Sequence, residues 1–257
     1  MDVNKNSYTF GFAAIMVVVV ATLLSVAAIS LKPFQDKNIE LEKKQNILNS
    51  VGIQVERDAA AEAYEQYITE SFVVNSLGER AEGDAFTVDL AKELKKDVDA
   101  QVFPIFVSEK DGAKSYILPV RGNGLWGPIW GYVALQEDLN TVLGAVFDHK
   151  GETPGLGAEI SLGWFQEPFA GKTIYEGDEF VSITVVKGGA AEDDMHGVDG
   201  ISGGTITADG VTDMLKERLG NYVPFFESMR AEIEVESVLD SLATDSLIVA
   251  DTLNTIQ

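Results

Sequence analysis

The stretch Asp199-Gly200-Ile201-Ser202-Gly203-Gly204-Thr205-Ile206-Thr207 is the point from which the rest of the chain is read. Its paired glycines leave the backbone bare and able to turn, because Gly takes positive φ without a Cβ clash. The residues after them carry a helical pattern, with Asp209 early and apolar Val211, Met214, Leu215 and Leu219 on one stripe. The pattern predicts a helix whose mouth holds Thr205. Free N–H groups and the positive dipole end at a helix start favour a phosphate. The plain alternative is a Gly-rich connection between a strand and a helix.

Outward from this loop, the chain reads as a mixed α+β protein. Val102–Val107 is an apolar run, Glu109-Lys110-Asp111-Gly112 a hairpin turn and Tyr116–Val120 its return strand. Arg121-Gly122-Asn123-Gly124 is expected to end that strand, with Ile129–Leu135 and Thr141–His149 following as further strands. A short helix is expected over 158–165, and Phe180–Val186 reads as a strand that ends at Lys187-Gly188-Gly189. Before this region, Val55, Ala59, Ala63 and Tyr67 form an i, i+4 stripe of a packed helix. Phe72-Val73-Val74 is a strand candidate, and 86–96 mixes a strand start with a helical, charged end.

The N-terminus has a different character. Phe10–Leu31 carries no charged residue, and at ~1.5 Å per residue it spans roughly 33 Å, enough for a hydrocarbon core of about 30 Å. Tyr8 is placed as an interfacial aromatic, and Lys5 and Lys32 flank the run. The run exceeds a typical signal-peptide core, so a retained anchor is expected rather than a cleaved leader. A polar, helical stalk over 37–50 follows. Lys32, Lys37, Lys43 and Lys44 come after the span, so the positive-inside rule alone would leave the C-terminal mass in the cytoplasm. The chain ends in an acidic segment, with no Lys or Arg after Arg230.

Composition excludes several classes. A formal net charge of -22 argues against nucleic-acid binding and against lying flat on an anionic leaflet. With no Cys there is no disulfide, thiolate metal site or Cys nucleophile, and with two histidines, His149 and His196, no His-rich metal site. No metal ligand set and no catalytic residue is singled out. Gly200-Ile201-Ser202-Gly203-Gly204 has the Gly-x-Ser-x-Gly form of a hydrolase elbow. That reading needs a strand directly before it and a His after Ser202, and the sequence offers neither.

Three Gly-containing loops could bring backbone close to a flat ligand: Gly124-Leu125-Trp126, Glu152-Thr153-Pro154-Gly155-Leu156-Gly157, and Ser202-Gly203-Gly204-Thr205. Trp126 offers a stacking face, Leu156 an apolar cover and Thr153 hydrogen bonds to ring edges. Lys187 offers a positive charge near a phosphate or an anionic ring.

These residues resemble the C-subunit family of the sodium-translocating NADH:quinone reductase. The resemblance rests on the anchor, Leu31-Lys32-Pro33-Phe34-Gln35-Asp36-Lys37-Asn38, Asn46-Ile47-Leu48, Gly122-Asn123-Gly124-Leu125-Trp126-Gly127, Gly131-Tyr132-Val133-Ala134-Leu135 and the Glu152–Gly157 loop. The family's flavinylation pattern runs Asp, two variable residues, Ser or Thr, Gly, Ala, Thr. Here it reads Asp199-Gly200-Ile201-Ser202-Gly203-Gly204-Thr205, with Gly204 where Ala is usual.

The resemblance implies FMN joined through its phosphate to Thr205 by a dedicated flavin transferase. Contacts are expected from Asp199, Ser202, Gly203, Gly204, Ile206, Thr207, Leu125, Trp126, Glu152, Thr153, Gly155, Leu156 and Lys187. It implies a single transmembrane helix (10–31) after a short segment (1–9), then a stalk and mixed subdomain (32–100). An FMN-binding domain with a mainly antiparallel sheet flanked by helices (101–229) and the acidic tail (230–257) complete it. It also implies an inner-membrane location with the globular part in the periplasm, against the lysine count, and partner subunits that pass electrons from NADH to quinone and export sodium. The rival readings are the G-type flavin-carrying component of the related ferredoxin:NAD oxidoreductase and an anchored binding module without redox function.

Overall fold

The computed structural model describes residues 6–231; the acidic tail expected over 230–257 lies largely outside them. The chain separates into two compact units, with the boundary in sequence between Lys44 and Gln45. The first helix, α1, covers Asn6–Ser50 as one 45-residue run, so anchor and stalk share an element. It is long and apolar enough to cross a membrane, with mean hydropathy 2.8 in its most apolar stretch. Its polar groups are settled locally. Thr22 Oγ1 donates to Val18 O at 2.8 Å, and the ion pairs Lys32–Asp36 (3.2 Å) and Lys44–Glu40 (3.1 Å) have i, i+4 spacing. Pro33 lies inside the helix just past the apolar run, where its missing N–H removes one helical bond.

The second unit is built on an antiparallel sheet, β1 (Ile68–Asn75), β2 (Arg80–Ala81), β3 (Val102–Lys110), β4 (Ala113–Asn123), β5 (Pro128–Gln136) and β6 (Val142–His149), in the spatial order β2-β1-β3-β4-β5-β6. The expected β3–β4 turn forms at Asp111-Gly112 with φ of 54° and 81°, the paired positive values of a two-residue hairpin turn.

The central strands read as nearly continuous apolar runs because the sheet is covered on both faces. Phe103, Ile105, Leu118, Val120, Val133 and Phe147 face one cluster. That cluster also holds Ala208, Val211, Met214, Leu215 and Leu219 of helix α5 (Thr205–Gly220), together with Tyr222, Phe225 and Phe226. Phe106, Ile117, Tyr132 and Ala134 face a second cluster with Ile47, Leu48, Ala63 and Tyr64. Residues 223–231 form a last helical stretch. The Tyr222 hydroxyl is buried under the sheet and donates to Pro104 O (3.0 Å) or Pro119 O (3.2 Å), and burial pushes its pKa well up.

Helix α5 lies directly on β4. A Cβ at Gly210 would fall 2.3 Å from Asn123 O, and one at Gly122 2.7 Å from Met214 Cβ. These two glycines set the approach that fixes the helix start over the sheet.

Several expectations from the sequence change. The 55–67 stripe resolves into a 3₁₀ turn, Arg57–Ala59, and helix α2, Ala60–Tyr67. Ala63 is buried as expected and Val55 and Tyr67 pack partly buried on the same cluster, while Ala59 is exposed in the turn and Ala60 and Tyr64 are buried in addition. The 86–96 stretch has no strand start; Asp89 caps a four-residue helix, α3 (Leu90–Glu93), by accepting from Ala91 N at 3.0 Å. β4 continues through Arg121, Gly122 and Asn123, which pair with Trp130, Ile129 and Pro128, and the chain turns at Gly124. The 158–165 helix is two pieces, a 3₁₀ turn at Gly157–Ser161 and α4 at Gly163–Gln166.

The expected strand 180–186 is broken at Ser182, whose φ is 65°. Val181 N and Ser182 N both donate to Ile174 O, which bends the chain. What remains is a small hairpin, β7 (Tyr175–Glu176) with β8 (Glu179–Phe180), and a parallel pair, β9 (Thr184–Val186) with β10 (Gly197–Asp199).

Candidate functional site

Thr205 is the first residue of α5 and is half-buried. The preceding loop reaches it by a turn in which Gly203 takes φ 76° and Gly204 N donates to Ile201 O at 3.0 Å. Gly204 is the N-cap and has no side chain to cap with, while Ala208 N closes the first helical bond on Gly204 O. The N–H groups of Thr205, Ile206 and Thr207 are therefore the open donors of the first turn. They form a place for an anion beside a hydroxyl.

On one side of Thr205 is a cavity of about 440 Å³, lined by Lys187, Gly189, Asp199, Ser202, Thr205 and Asp209 among others. Lys187 is its sole basic lining residue among the described residues. Asp199 is partly committed, since its Oδ1 accepts from Ala190 N at 2.8 Å. Asp209 joins the lining because it lies one helical turn after Thr205. That i, i+4 spacing was the signal by which the sequence could have flagged it.

The other loops are tied together by Glu152. This carboxylate is only 5% exposed. Its Oε1 accepts from Trp126 N at 2.8 Å and its Oε2 from the Thr207 hydroxyl at 2.8 Å. Thr207 Oγ1 in turn accepts from Leu125 N at 3.4 Å, and Glu152 N donates to His149 Nδ1 at 3.1 Å. The loop glycines leave room for this hub: a Cβ at Gly124 would meet Glu152 Oε1 at 2.6 Å, and one at Gly157 would meet both Glu152 Oε2 and Thr207 Oγ1 at 2.5 Å.

A second carboxylate secures the same loop from outside. Glu159 accepts from Gly155 N at 3.1 Å and from Trp164 Nε1 at 2.9 Å. Glu159 and His149 were not among the expected site residues, and their roles depend on contacts that no motif encodes.

The structure thus joins the Leu125-Trp126, Glu152–Leu156 and Ser202–Thr207 segments. The link is direct at Gly203, where an added Cβ would lie 2.7 Å from Leu156 Cδ2. Trp126 (69% exposed), Leu156 (40%) and Ile206 (58%) present apolar surface to solvent. Thr153 and Gly155 are exposed, and Thr153 O accepts from Leu156 N and Ala158 N. Lys187 and Asp199 line the cavity at Thr205, which Trp126 and Leu156 do not line.

A Ser202 triad does not assemble. The short strand β10 does precede the loop, contrary to expectation. Yet neither His149 nor His196 lines the cavity that Ser202 lines, and their Nδ1 atoms lie against Glu152 N (3.1 Å) and Thr173 O (2.7 Å), with no carboxylate of the described residues on either. Among the described residues no group of three His, Asp or Glu could hold a metal ion.

A family model described as FMN-binding domain matches residues 124–220, the span from the Trp126 loop to the end of α5. The C subunit of the Na(+)-translocating NADH-quinone reductase from Vibrio vulnificus (strain YJ016) is 33% identical over 241 residues, which amount to 86% of this chain and 94% of that protein. Its namesake from Haemophilus ducreyi is 33% identical over 250 residues, or 89% and 96%. The crystal structure of the Parabacteroides distasonis protein of the same name superposes with a TM-score of 0.72 at 46% identity, over 76% of this chain and 96% of that one. That of Shewanella oneidensis NqrC gives 0.66 at 27% identity, over 75% and 98%.

Proposed function

The chain belongs to the C-subunit family of the Na(+)-translocating NADH-quinone reductase, and from that premise we propose that it carries FMN covalently, through a phosphoester on Thr205. The observation that carries this is the helix start: a half-buried threonine hydroxyl on the first residue of α5, with uncapped N–H groups around it. The bare Gly203-Gly204 backbone packs closely on Leu156 and Ile201, where Cβ atoms would meet them within 3 Å, and leaves no side chain over the helix start. The residues therefore fit a phosphate-bearing group.

FMN supplies the redox chemistry when bound, and the chain supplies orientation and electrostatics. In this reading the Thr205 hydroxyl is the tether, and the first-turn N–H groups neutralise the phosphate. Lys187 adds a cation at the cavity, and Trp126 and Leu156 offer apolar faces for a flat ring. Glu152 fixes the Trp126 loop relative to α5 through its two 2.8 Å bonds. The exposure of Trp126 and Leu156 suits a carrier that hands electrons to partner subunits.

The linkage calls for a flavin transferase as the maturation partner. Residues 10–31 serve as a single membrane anchor, with the globular unit in the periplasm beside the other subunits of the complex. The anchor offers only Thr22, Ser25 and Ser30 as polar groups, and Thr22 is satisfied within its own helix. Sodium export by the complex is therefore assigned to partner subunits.

The test is mass spectrometry of the full chain purified from membranes. A mass increment of FMN less water on the peptide containing Thr205, absent in Thr205→Val, is the expected result. Covalent flavin fluorescence persisting in denatured, gel-separated Thr205→Val would overturn the assignment.

A further inference from the structure

A large cavity in the second unit lies away from Thr205, at the edge of the sheet. It is a groove of about 910 Å³ whose lining includes Leu143–Asp148 of β6. β6 is the outermost strand. Its pairing with β5 fixes which backbone groups point outward. Lys150 N donates to Pro128 O at 3.0 Å, so the hydrogen-bonded pairs continue as Trp130↔Asp148 and Tyr132↔Val146. Ala145 and Phe147 therefore aim their N–H and C=O groups away from the sheet.

The edge is closed at both ends. Val142 exchanges backbone bonds with Lys172 and Gly171, and Phe147 O accepts from Gln166 Nε2 at 2.9 Å. Between these points the Ala145 N–H and C=O have no backbone partner among the described residues, whereas Phe147, 1% exposed and with its C=O taken by Gln166, is closed off. No Lys or Pro lies in β6 to blunt the edge.

The charge of the groove selects its occupant. Its charged lining residues are Glu56, Asp148 and Glu167, with no Lys, Arg or His among the described residues that line it. They do not form a metal cluster. A second copy of this chain, at a formal charge of -22, and its own acidic C-terminal segment are both disfavoured by like charge. A cationic segment of another polypeptide meets the carboxylates and supplies the missing backbone partners.

We propose that the outer edge of β6 accepts an extended, Lys- or Arg-bearing segment of a partner subunit, held by the paired backbone bonds at Ala145 and by ion pairs to Glu56, Asp148 and Glu167. The site is independent of flavin attachment.

The test uses the full chain in its native membranes with a photo-crosslinking amino acid in place of Leu143, a 39% exposed groove residue. The expected adduct joins this chain to a different polypeptide at a peptide containing Lys or Arg. It is lost in Glu56→Lys/Glu167→Lys and retained in Thr205→Val, which separates this proposal from the flavin assignment. Hydrogen exchange supplies the second readout: the Ala145 amide should exchange about tenfold or more slowly in the assembled complex than in the detergent-solubilised chain. An adduct to a second copy or to residues 232–257, no adduct, or equal exchange in the two states would each overturn the proposal.

Discussion

Glu152→Ala should loosen the site from within, and the cost can be worked from the hub. The carboxylate is 5% exposed and accepts two hydrogen bonds of 2.8 Å, from Trp126 N and Thr207 Oγ1. Bonds to a charged acceptor contribute about 1.5–3 kcal/mol each, and a buried donor left without a partner costs about 1–3 kcal/mol. These figures describe the same loss from two sides and are not summed. Trp126 is itself exposed, so water can reach part of the gap. A destabilisation of about 2–4 kcal/mol follows. At roughly 2–4 °C per kcal/mol for a chain of this size, the melting point of the detergent-solubilised full chain should fall by about 4–16 °C. Glu152→Gln keeps the shape and one acceptor, and the Thr207 hydroxyl can turn to accept from the new amide, so about 1 kcal/mol is expected there. Thr207→Val should mimic part of the Ala effect. The double variant Glu152→Ala/Thr207→Val should be less damaging than the sum of the singles, because both remove one shared bond. Melting followed by circular dichroism, with Trp fluorescence as a local probe, measures all four. An Ala variant that melts within about 1 °C of the parent, or singles that add fully in the double, would refute the hub.

Ser182 holds φ 65° and its buried hydroxyl has no hydrogen-bond partner, so Ser182→Gly should raise stability by about 1 kcal/mol, read as a melting point about 2–4 °C higher. Asp138 is raised in pKa by burial but lowered more by the Thr141 hydroxyl, the Thr141 and Asn140 N–H groups and Arg230, for a net downward shift. Its contribution is present above the unfolded carboxylate pKa of about 3.9 and is lost as pH falls through the lower folded value. Asp138→Asn should therefore flatten the acid limb of a stability-versus-pH curve and leave its shape above pH ~5 unchanged. Gly204→Ala places a Cβ 2.8 Å from Ile201 Cγ2 and 3.1 Å from the Leu156 carbonyl carbon. It should cost about 1–3 kcal/mol by overpacking, although Ala is usual there in the flavinylation pattern, and a melting point at or above the parent's would show that the loop relaxes freely.

What the sequence discloses follows the range of the forces involved. The β3–β4 hairpin is legible because Asp111-Gly112 is a local signal for a local geometry. Helix α5 is legible because its buried stripe repeats with the helical period. The apparent strand 180–186 misleads because its composition favours β structure, while Ile174 O captures two successive N–H groups and bends the chain at Ser182. In the site, the Trp126, Leu156 and Thr205 loops announce themselves by glycine spacing and side-chain type. The hub does not: Glu152 finds Trp126 and Thr207 at separations of 26 and 55 residues, which no periodicity records.

The hub also explains how exposed loops can hold a precise arrangement. Trp126 and Ile206, at 69% and 58% exposure, gain little from burial and Leu156, at 40%, gains only part of what a core leucine does, so apolar packing alone does not fix them. Their positions are set instead from beneath, by a buried carboxylate and by a helix pressed onto β4 at Gly122 and Gly210. Polar order lies inside and apolar surface outside, the reverse of an ordinary core. An enclosing enzyme site would bury those apolar faces around a substrate. On the proposed reading, a carrier that must show its group to successive partners needs them open and rigid, and rigidity supplied from below is the arrangement that leaves the outer face free.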